Sequence, residues 1–247
     1  GAVLEWNRIQ SDGDAPGDLF SHCSTSIQTK IYIFGGLDQS STCTNTLYQF
    51  DTLLSHWEQL KFPPNLLSKY PLPPPNPYYK IHALGEYLIL IGNEKLRKKI
   101  TKMTVHVLNV RAGIEWKWKS LVVSNKILLD DMFETIALYD NNDLVLREPV
   151  GRKVQILVFD GSKSVRTDDR SDSATGSSKK NKYDPKRKGP RIWMLEFLDD
   201  CENQDIQMNI IKIPQEQDRL PCLRVGQSLS AIIPKLQLMK NVDGEQP

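Results

Sequence analysis

The sequence predicts an all-β protein built from a repeated four-stranded unit. A tryptophan followed three residues later by leucine or isoleucine recurs along the chain, and so does a continuous aliphatic and aromatic run that ends in small turn residues. No segment between these features shows a convincing helical pattern. Four short strands repeated about every 50 residues are typical of sheets arranged radially as the blades of a β-propeller.

The first recurring feature is the tryptophan. Trp6, Trp57 and Trp118 are separated by 51 and 61 residues (57 − 6 and 118 − 57). We expect them to mark the same position in successive units, with residues 4–9 forming the last strand of a preceding unit. In the third unit, Met208 is the expected equivalent.

The second recurring feature is the apolar run. It reads IYIFGG at residues 31–36, LILIGN at 88–93 and ILVFDG at 156–161. Unbroken apolar runs of this length are typical of strands buried on both faces. The glycines behind them permit the positive φ that a tight turn or bulge requires.

Two further strands complete each unit. The third strands read LYQFD at 47–51, VHVLN at 105–109 and IWMLE at 192–196, each closed by an acidic or amide residue. First strands are expected at 20–27, 80–84 and 134–138, with further first-strand material late in the chain. The units therefore cover residues 18–62, 78–123 and 132–213, with partial blade strands at 4–9 and 224–239.

The first unit resembles a kelch repeat. It carries His22 on the first strand, the Gly35-Gly36 doublet, Asn45, Tyr48 and Asp51 around the third strand, and Trp57 on the fourth. The resemblance implies that the doublet lets strands approach closely near a central channel, and that Tyr48 and Trp57 pack between blades. These residues would be structural, as would their counterparts in the later units, which are Gly92, Trp118, Gly161 and Trp193.

About three complete blades do not close a propeller, which typically has four to eight. The chain opens with last-strand material and ends with first-strand material. We therefore expect a fragment of a larger kelch-type propeller. The alternative is that the two ends pair to complete a fourth blade.

Residues 162–190 form a basic insertion that is expected to be disordered, since they combine low hydrophobicity with high charge. Residues 163–191 contain ten Lys/Arg and four Asp, a net charge of +6, so the rest of the chain carries 2 − 6 = −4. The insertion has three alternative interpretations. It is a solvated loop, a nuclear-localisation signal around 179–191, or a segment that contacts an acidic or nucleic-acid partner. The expected compartment is cytoplasmic or nuclear.

No catalytic motif is present, so the chain is not expected to be an enzyme. The four cysteines form no C-x-x-C pair and the four histidines lack zinc-finger spacing, which predicts no metal and no cofactor. The enzymatic alternative is a copper oxidase resembling galactose oxidase, which would need His and Tyr ligands to converge on the propeller axis. No apolar run reaches 18 residues, so no membrane span is expected.

The preferred function is a non-catalytic scaffold for protein–protein interaction, with a partner of unknown identity docking on propeller-face loops. The loops after the second strands, at 37–44 and 94–99 and in the insertion, should cluster on one face. No small-molecule substrate is expected, nucleic acid is an unlikely partner, and an architectural role in a multi-protein assembly is the alternative. The candidate partner-binding residues are Arg97, Lys98, Lys99, Lys186, Arg187 and Lys188.

Overall fold

The computed structural model describes residues 6–97, 100–111, 115–124, 127, 129, 133–139, 153–160, 191–200 and 205–213. Within these residues the chain forms thirteen β-strands and one helical turn. The predicted all-β fold class is confirmed for these residues. No helix in these residues has the length and apolar character that crossing a membrane requires.

The strands form three sheets, which we name blades 1 to 3. Blade 1 contains β2 (Cys23–Ile27), β3 (Lys30–Leu37), β4 (Cys43–Asp51) and β5 (His56–Leu60), with β1 (Asp12–Gly13) added at its outer edge. Blade 2 contains β6 (Lys80–Leu84), β7 (Tyr87–Arg97), β8 (Ile100–Asn109) and β9 (Trp118–Leu121). Blade 3 contains β10 (Glu134–Tyr139), β11 (Lys153–Asp160), β12 (Arg191–Asp200) and β13 (Asp205–Ile213). The helical turn α1 (Pro64–Leu67) lies between blades 1 and 2.

Each blade is an antiparallel meander in which consecutive strands are neighbours. In blade 1, β1 also pairs with β5 in parallel, through Asp12 opposite His56 and Gly13 opposite Trp57. In blades 1 and 2 short connections join antiparallel neighbours, which is the simplest way to build a sheet from local contacts.

The blades pack face to face through apolar cores. We define the front face of a blade as the one that contacts the preceding blade, and the back face as the one that contacts the following blade. The front face of blade 2 and the back face of blade 1 share one cluster of buried residues, which includes Leu47, Leu88 and Trp118. The back face of blade 2 and the front face of blade 3 share another, which includes Ile89, Val107 and Ile156. Residues 88–91 in the middle of β7 are 0% exposed, because blade 2 is covered on both sides.

The strand registers show which residues are equivalent between blades. Trp57 lies opposite Phe50, and Trp118 lies opposite Leu108 at the matching position of blade 2. In blade 3 the matching pair is Ile210 opposite Leu195. The expectation that Met208 takes the tryptophan position is therefore wrong, because Met208 pairs two positions further along, with Phe197.

The expectation for the N-terminal strand is also wrong over the described residues. Residues 6–10 form no strand, and Trp6 is fully exposed. Trp6 therefore does not share the surroundings of Trp57 and Trp118. A W-x-x-[L/I] pattern is local, whereas the position of a blade tryptophan depends on a neighbouring strand that the pattern does not contain.

Candidate protein-docking face

Hairpins that join the second and third strands lie at the same end of each blade. In blade 1 this hairpin begins with a β-bulge between Phe34 and Gly36. Gly35 and Gly36 have φ values of 66° and 99°, which favour glycine. A Cβ on Gly36 would also lie 2.9 Å from the carbonyl oxygen of Phe20 and 3.0 Å from the Cβ of His22. The doublet thus allows the segment before β2 to cross closely against β3.

The loop of this hairpin is held by its own hydrogen bonds. Asp38 Oδ1 accepts backbone N–H groups from Ser40 at 2.9 Å and Thr42 at 2.8 Å. Gln39 donates to Asp18 Oδ2 at 2.6 Å, and Phe20 exchanges backbone hydrogen bonds with Leu37 at 3.0 and 2.8 Å. An aspartate that accepts from the residues two and four positions on fixes the loop conformation before any partner arrives.

The corresponding hairpin of blade 2 differs from the expected loop at residues 94–99. Glu94 to Arg97 continue strand β7, and Glu94 lies opposite Lys102 with an ion pair of 3.0 Å between their side chains. Only Lys98 and Lys99 separate the two strands, and both lie outside the described residues. The extension arises from cross-strand pairing, which residues 94–99 alone do not show.

A proline-rich connection ties the two hairpins together. Asn45 of β4 donates to the carbonyl oxygen of Pro73 at 2.9 Å, and Asn76 donates to the carbonyl oxygen of Asn93 on β7 at 2.7 Å. Pro73 is buried between these two anchors. Residues 71–77 therefore act as a fixed strap across the end of blades 1 and 2, consistent with a stiff inter-blade connection.

Blade 3 has its long insertion at the same place. Asp160 and Arg191 lie opposite each other at the ends of β11 and β12, and their side chains form an ion pair. Asp160 is completely buried, which places a charged pair at the base of the insertion. Gly161, Lys186, Arg187 and Lys188 lie outside the described residues, as does the nuclear-localisation signal expected around 179–191.

We define the docking face as residues 37–43, the strap at 71–77 and the hairpin ends at 94–97 and 100–102. The described residues of this face include both acidic and basic side chains, so the surface is neither wholly positive nor wholly negative. The sequence interpretation named Asn45 as part of the repeat but gave it no role in this face, and it missed Asn76 and Asp38, which help to organise the face. The signals were available, since Asn-Pro and Asp-x-Ser sequences are typical of side chains that bond to nearby backbone.

The residues expected to be structural occupy varied positions. His22 is exposed and precedes β2, so it is not on the first strand as expected. The ring that contacts Trp57 belongs to Phe50, at 4.7 Å between centroids, because Phe50 lies directly opposite Trp57 while Tyr48 lies opposite Gln59. Tyr48, His106 and Trp193 occupy matching third-strand positions on front faces.

The histidines considered for a metal site do not converge. His82 faces blade 3, where its Nε2 is 2.8 Å from Thr135 Oγ1. His106 faces blade 1, and its Nδ1 is 2.8 Å from Ser120 Oγ. His56 pairs with Asp12 at the outer edge of blade 1. Among the described residues, no three His, Cys, Asp or Glu side chains come together as ligands for a metal.

Burial alters the titration of the buried groups. Desolvation, together with the smaller effect of the nearby Lys80 ammonium, lowers the pKa of His82 to about 4. Desolvation also lowers the pKa of His106 to about 4, and this effect outweighs that of the Glu94 carboxylate, which raises the pKa. The pKa of Cys23 is raised to about 12 by burial, so this thiol is protonated and unsuited to nucleophilic chemistry. Cys23 therefore behaves as a core residue.

Comparison with known proteins agrees with this geometry. Residues 19–61 match the family model described as the kelch motif. A Rho GTPase-activating protein, gacHH of Dictyostelium discoideum, is 29% identical over 119 residues. That match covers 43% of this chain but 7% of the relative, so it spans a small part of that protein. The chain carries a kelch repeat in blade 1, and its described residues form three sheets, each with a four-stranded antiparallel core, as in a kelch-type β-propeller.

Proposed function

We propose that this chain is a non-catalytic protein-binding scaffold whose partner contacts the docking face. Kelch repeats generally mediate protein–protein interaction, which supports this class of function. The observation that carries the proposal is the strap, because Asn45 and Asn76 join the hairpins of two blades into one fixed surface. A surface ordered in advance loses little conformational entropy on binding.

The charge of the blade 2 hairpin supports a partner with acidic groups at this end of the face. Arg97, Lys98 and Lys99 follow each other at the hairpin tip, and the insertion of blade 3 adds Lys186, Arg187 and Lys188 at the equivalent position in sequence. The relative's name concerns Rho GTPases, but the match spans too little of it to argue for a GTPase partner. A cytoplasmic or nuclear compartment is part of the proposal.

The test is a triple charge reversal at the hairpin tip, R97E with K98E and K99E. Proteins captured by the full-length protein are identified by mass spectrometry, and the affinity of a purified partner is then measured by titration calorimetry. We expect at least a tenfold loss of affinity with an unchanged melting temperature. The matched control is E86Q with R111Q, an ion pair at the opposite end of blade 2.

Equal affinity of the triple variant and the control would overturn the docking face as the binding surface. The architectural role is the second candidate function. It is favoured by apolar side chains that are only half-buried, such as Ile33 on the front face of blade 1 and Leu157 on the back face of blade 3. A metal-dependent activity has no support in the placement of the described histidines.

A further inference from the structure

The strap at residues 71–77 has the sequence of a polyproline II helix. It reads PLPPPNP, in which five of the seven residues are proline. Proline fixes its own φ at about −65° and biases the residue before it towards extended backbone. Residues 70, 72, 73, 74 and 76 each precede a proline, and the strap belongs to no strand or helix of the described residues. Both constraints favour the left-handed polyproline II helix, which has three residues per turn.

One edge of this helix holds the strap against the propeller. With three residues per turn, residues 70, 73 and 76 share an edge. Pro73 is buried and its carbonyl oxygen accepts from Asn45 of blade 1. Asn76 is half-buried and donates to the carbonyl oxygen of Asn93 of blade 2. The residues that anchor the strap therefore recur with the period of the helix.

The other two edges are more open to solvent. Pro71, Pro74 and Pro77 share the second edge, and the first two of these prolines are exposed. On the third edge, Pro75 is exposed and Tyr78 is 39% exposed. Exposed prolines three residues apart are the pattern that the aromatic-lined grooves of proline-binding domains recognise. Because the strap is already ordered, it loses little conformational entropy when such a groove binds it.

The parts of the sequence outside the described residues are poor in aromatic side chains. They contain a single aromatic residue, Tyr183. A groove that binds a polyproline II helix is lined by aromatic rings. These segments therefore lack the side chains from which such a groove is built, which favours a separate protein as its source.

The strap begins beside two positive charges. The Nζ atoms of Lys69 and Lys117 lie 5.4 Å and 5.1 Å from the centroid of the Tyr70 ring. Both lysines are exposed, and Tyr70 directly precedes Pro71. A partner surface that meets this end of the strap is complementary to it when it carries acidic groups.

We propose that the strap is the ligand of a separate protein domain that binds polyproline II helices in an aromatic-lined groove. Pro71 and Pro74 enter the groove, and acidic groups at one end of the groove face Lys69 and Lys117. Because the strap is part of the docking face, this class of partner rests on the scaffold function proposed above.

Substitution of the two exposed prolines tests the proposal. The 247-residue chain is titrated calorimetrically with a panel of purified SH3 and WW domains, which bind polyproline II helices. P71A with P74A is expected to weaken binding at least tenfold, because it removes the rings that pack in the groove. P64A, at an exposed proline outside the strap, is the matched control and should leave the affinity unchanged. Circular dichroism of each variant must match that of the parent chain, which separates lost binding from unfolding.

Binding of no domain in the panel would overturn the proposal, and so would equal affinities of the strap variant and P64A. Titration of a partner captured by the full-length protein separates this proposal from the scaffold function. If R97E with K98E and K99E loses affinity for that partner while P71A with P74A does not, the docking face stands and the strap is not the ligand. If both variants bind that partner as the parent chain does, both proposals are wrong.

Charge reversal at the start of the strap tests the acidic end of the groove. K69E with K117E is expected to weaken binding severalfold and to make the affinity less sensitive to salt, because salt screens the attraction that this variant lacks. K61E, at an exposed lysine outside the strap, is the control. An unchanged affinity of the double variant would overturn the placement of acidic groups beside the two lysines.

Discussion

Glycines in this protein serve two different physical purposes. Gly35 and Gly36 supply positive φ at the bulge of β3, where a side chain would strain the backbone. Gly92 has no such constraint, but a Cβ there would overlap ring carbons of Tyr79. Tyr79 is buried between blades 1 and 2, where its ring also packs edge to face on Phe34. Gly92 therefore provides space for an inter-blade aromatic residue.

Replacement of Gly92 by alanine is predicted to destabilise the protein by about 1–3 kcal/mol, because the added methyl group displaces the Tyr79 ring from a packed core. G17A is the matched control, since a Cβ at Gly17 would meet nothing within 4 Å. The control should change stability by less than about 0.5 kcal/mol. Urea unfolding followed by circular dichroism measures both, and equal midpoints would contradict the prediction.

At the level of elements, the third strand of a blade ends in a side chain that organises the following turn. Asp51 Oδ1 accepts backbone N–H groups from Leu53 at 2.9 Å and Leu54 at 3.1 Å. Asn109, at the matching position of blade 2, accepts from Arg111 at 2.9 Å. The acidic or amide residue that closes each of these strands in the sequence thus has a local physical role.

The Asp51 turn can be tested by two substitutions. D51A removes both hydrogen bonds and is predicted to lower the free energy of unfolding by about 1–2 kcal/mol. D51N keeps an acceptor oxygen at the same place and should restore most of that loss. Thermal unfolding of the three proteins in parallel measures the effect, and a D51N variant as unstable as D51A would assign the role to charge instead.

The sequence predicted strands well where the signal is local. The apolar runs ending at Phe34, Ile91 and Phe159 predicted three central strands, because burial on both faces requires unbroken apolar sequence. Positions that depend on a neighbouring strand were predicted poorly. Met208 and Ile210 are both apolar, and only the register of β12 with β13 shows that Ile210 takes the tryptophan position.

For the whole molecule, blade 2 carries a buried histidine on each of its faces. His82 contacts blade 3 through Thr135, beside the ion pair of Lys80 with Glu134 at 2.9 Å. His106 lies on the face that contacts blade 1, where its ring meets the ring of Tyr79. Both contacts between blades therefore include an imidazole that is neutral at physiological pH.

Acid is predicted to weaken the contacts between blades. Both folded pKa values are lowered from 6.5 to about 4, so the unfolded chain binds protons that the folded chain does not. The contribution of the two neutral histidines to the free energy of unfolding should be fully present above about pH 6.5 and should be lost as the pH drops towards 4. From about pH 7.5 to about pH 5 the loss should approach about 2 kcal/mol per histidine.

The measurement is the free energy of unfolding against pH for the parent chain and for H82Q with H106Q. The double variant should lose less stability over this range, because it removes the two groups whose pKa values differ between states. H56Q, at an exposed histidine, is the control. If the free energy of unfolding depends on pH equally in the parent chain and the double variant, the prediction is wrong.

The sequence predicted the propeller more fully than it predicted the docking face. Fold class follows from repeated local patterns, but Asn45 and Asn76 act on residues 28 and 17 positions away. Glu94 was expected in a loop because its pairing with Lys102 is visible only from the strand register. Contacts of this kind depend on how the sheets are placed and not on the composition of any one segment.

The buried ion pair of Asp160 and Arg191 has a consequence for how this protein can change over evolutionary time. The segment 161–190 leaves and re-enters blade 3 at two residues that lie opposite each other in adjacent strands. Doubling the length of such a connection costs only about 0.6 kcal/mol. Its length and content can therefore vary freely among descendants of this gene, while the sheet beneath it stays the same.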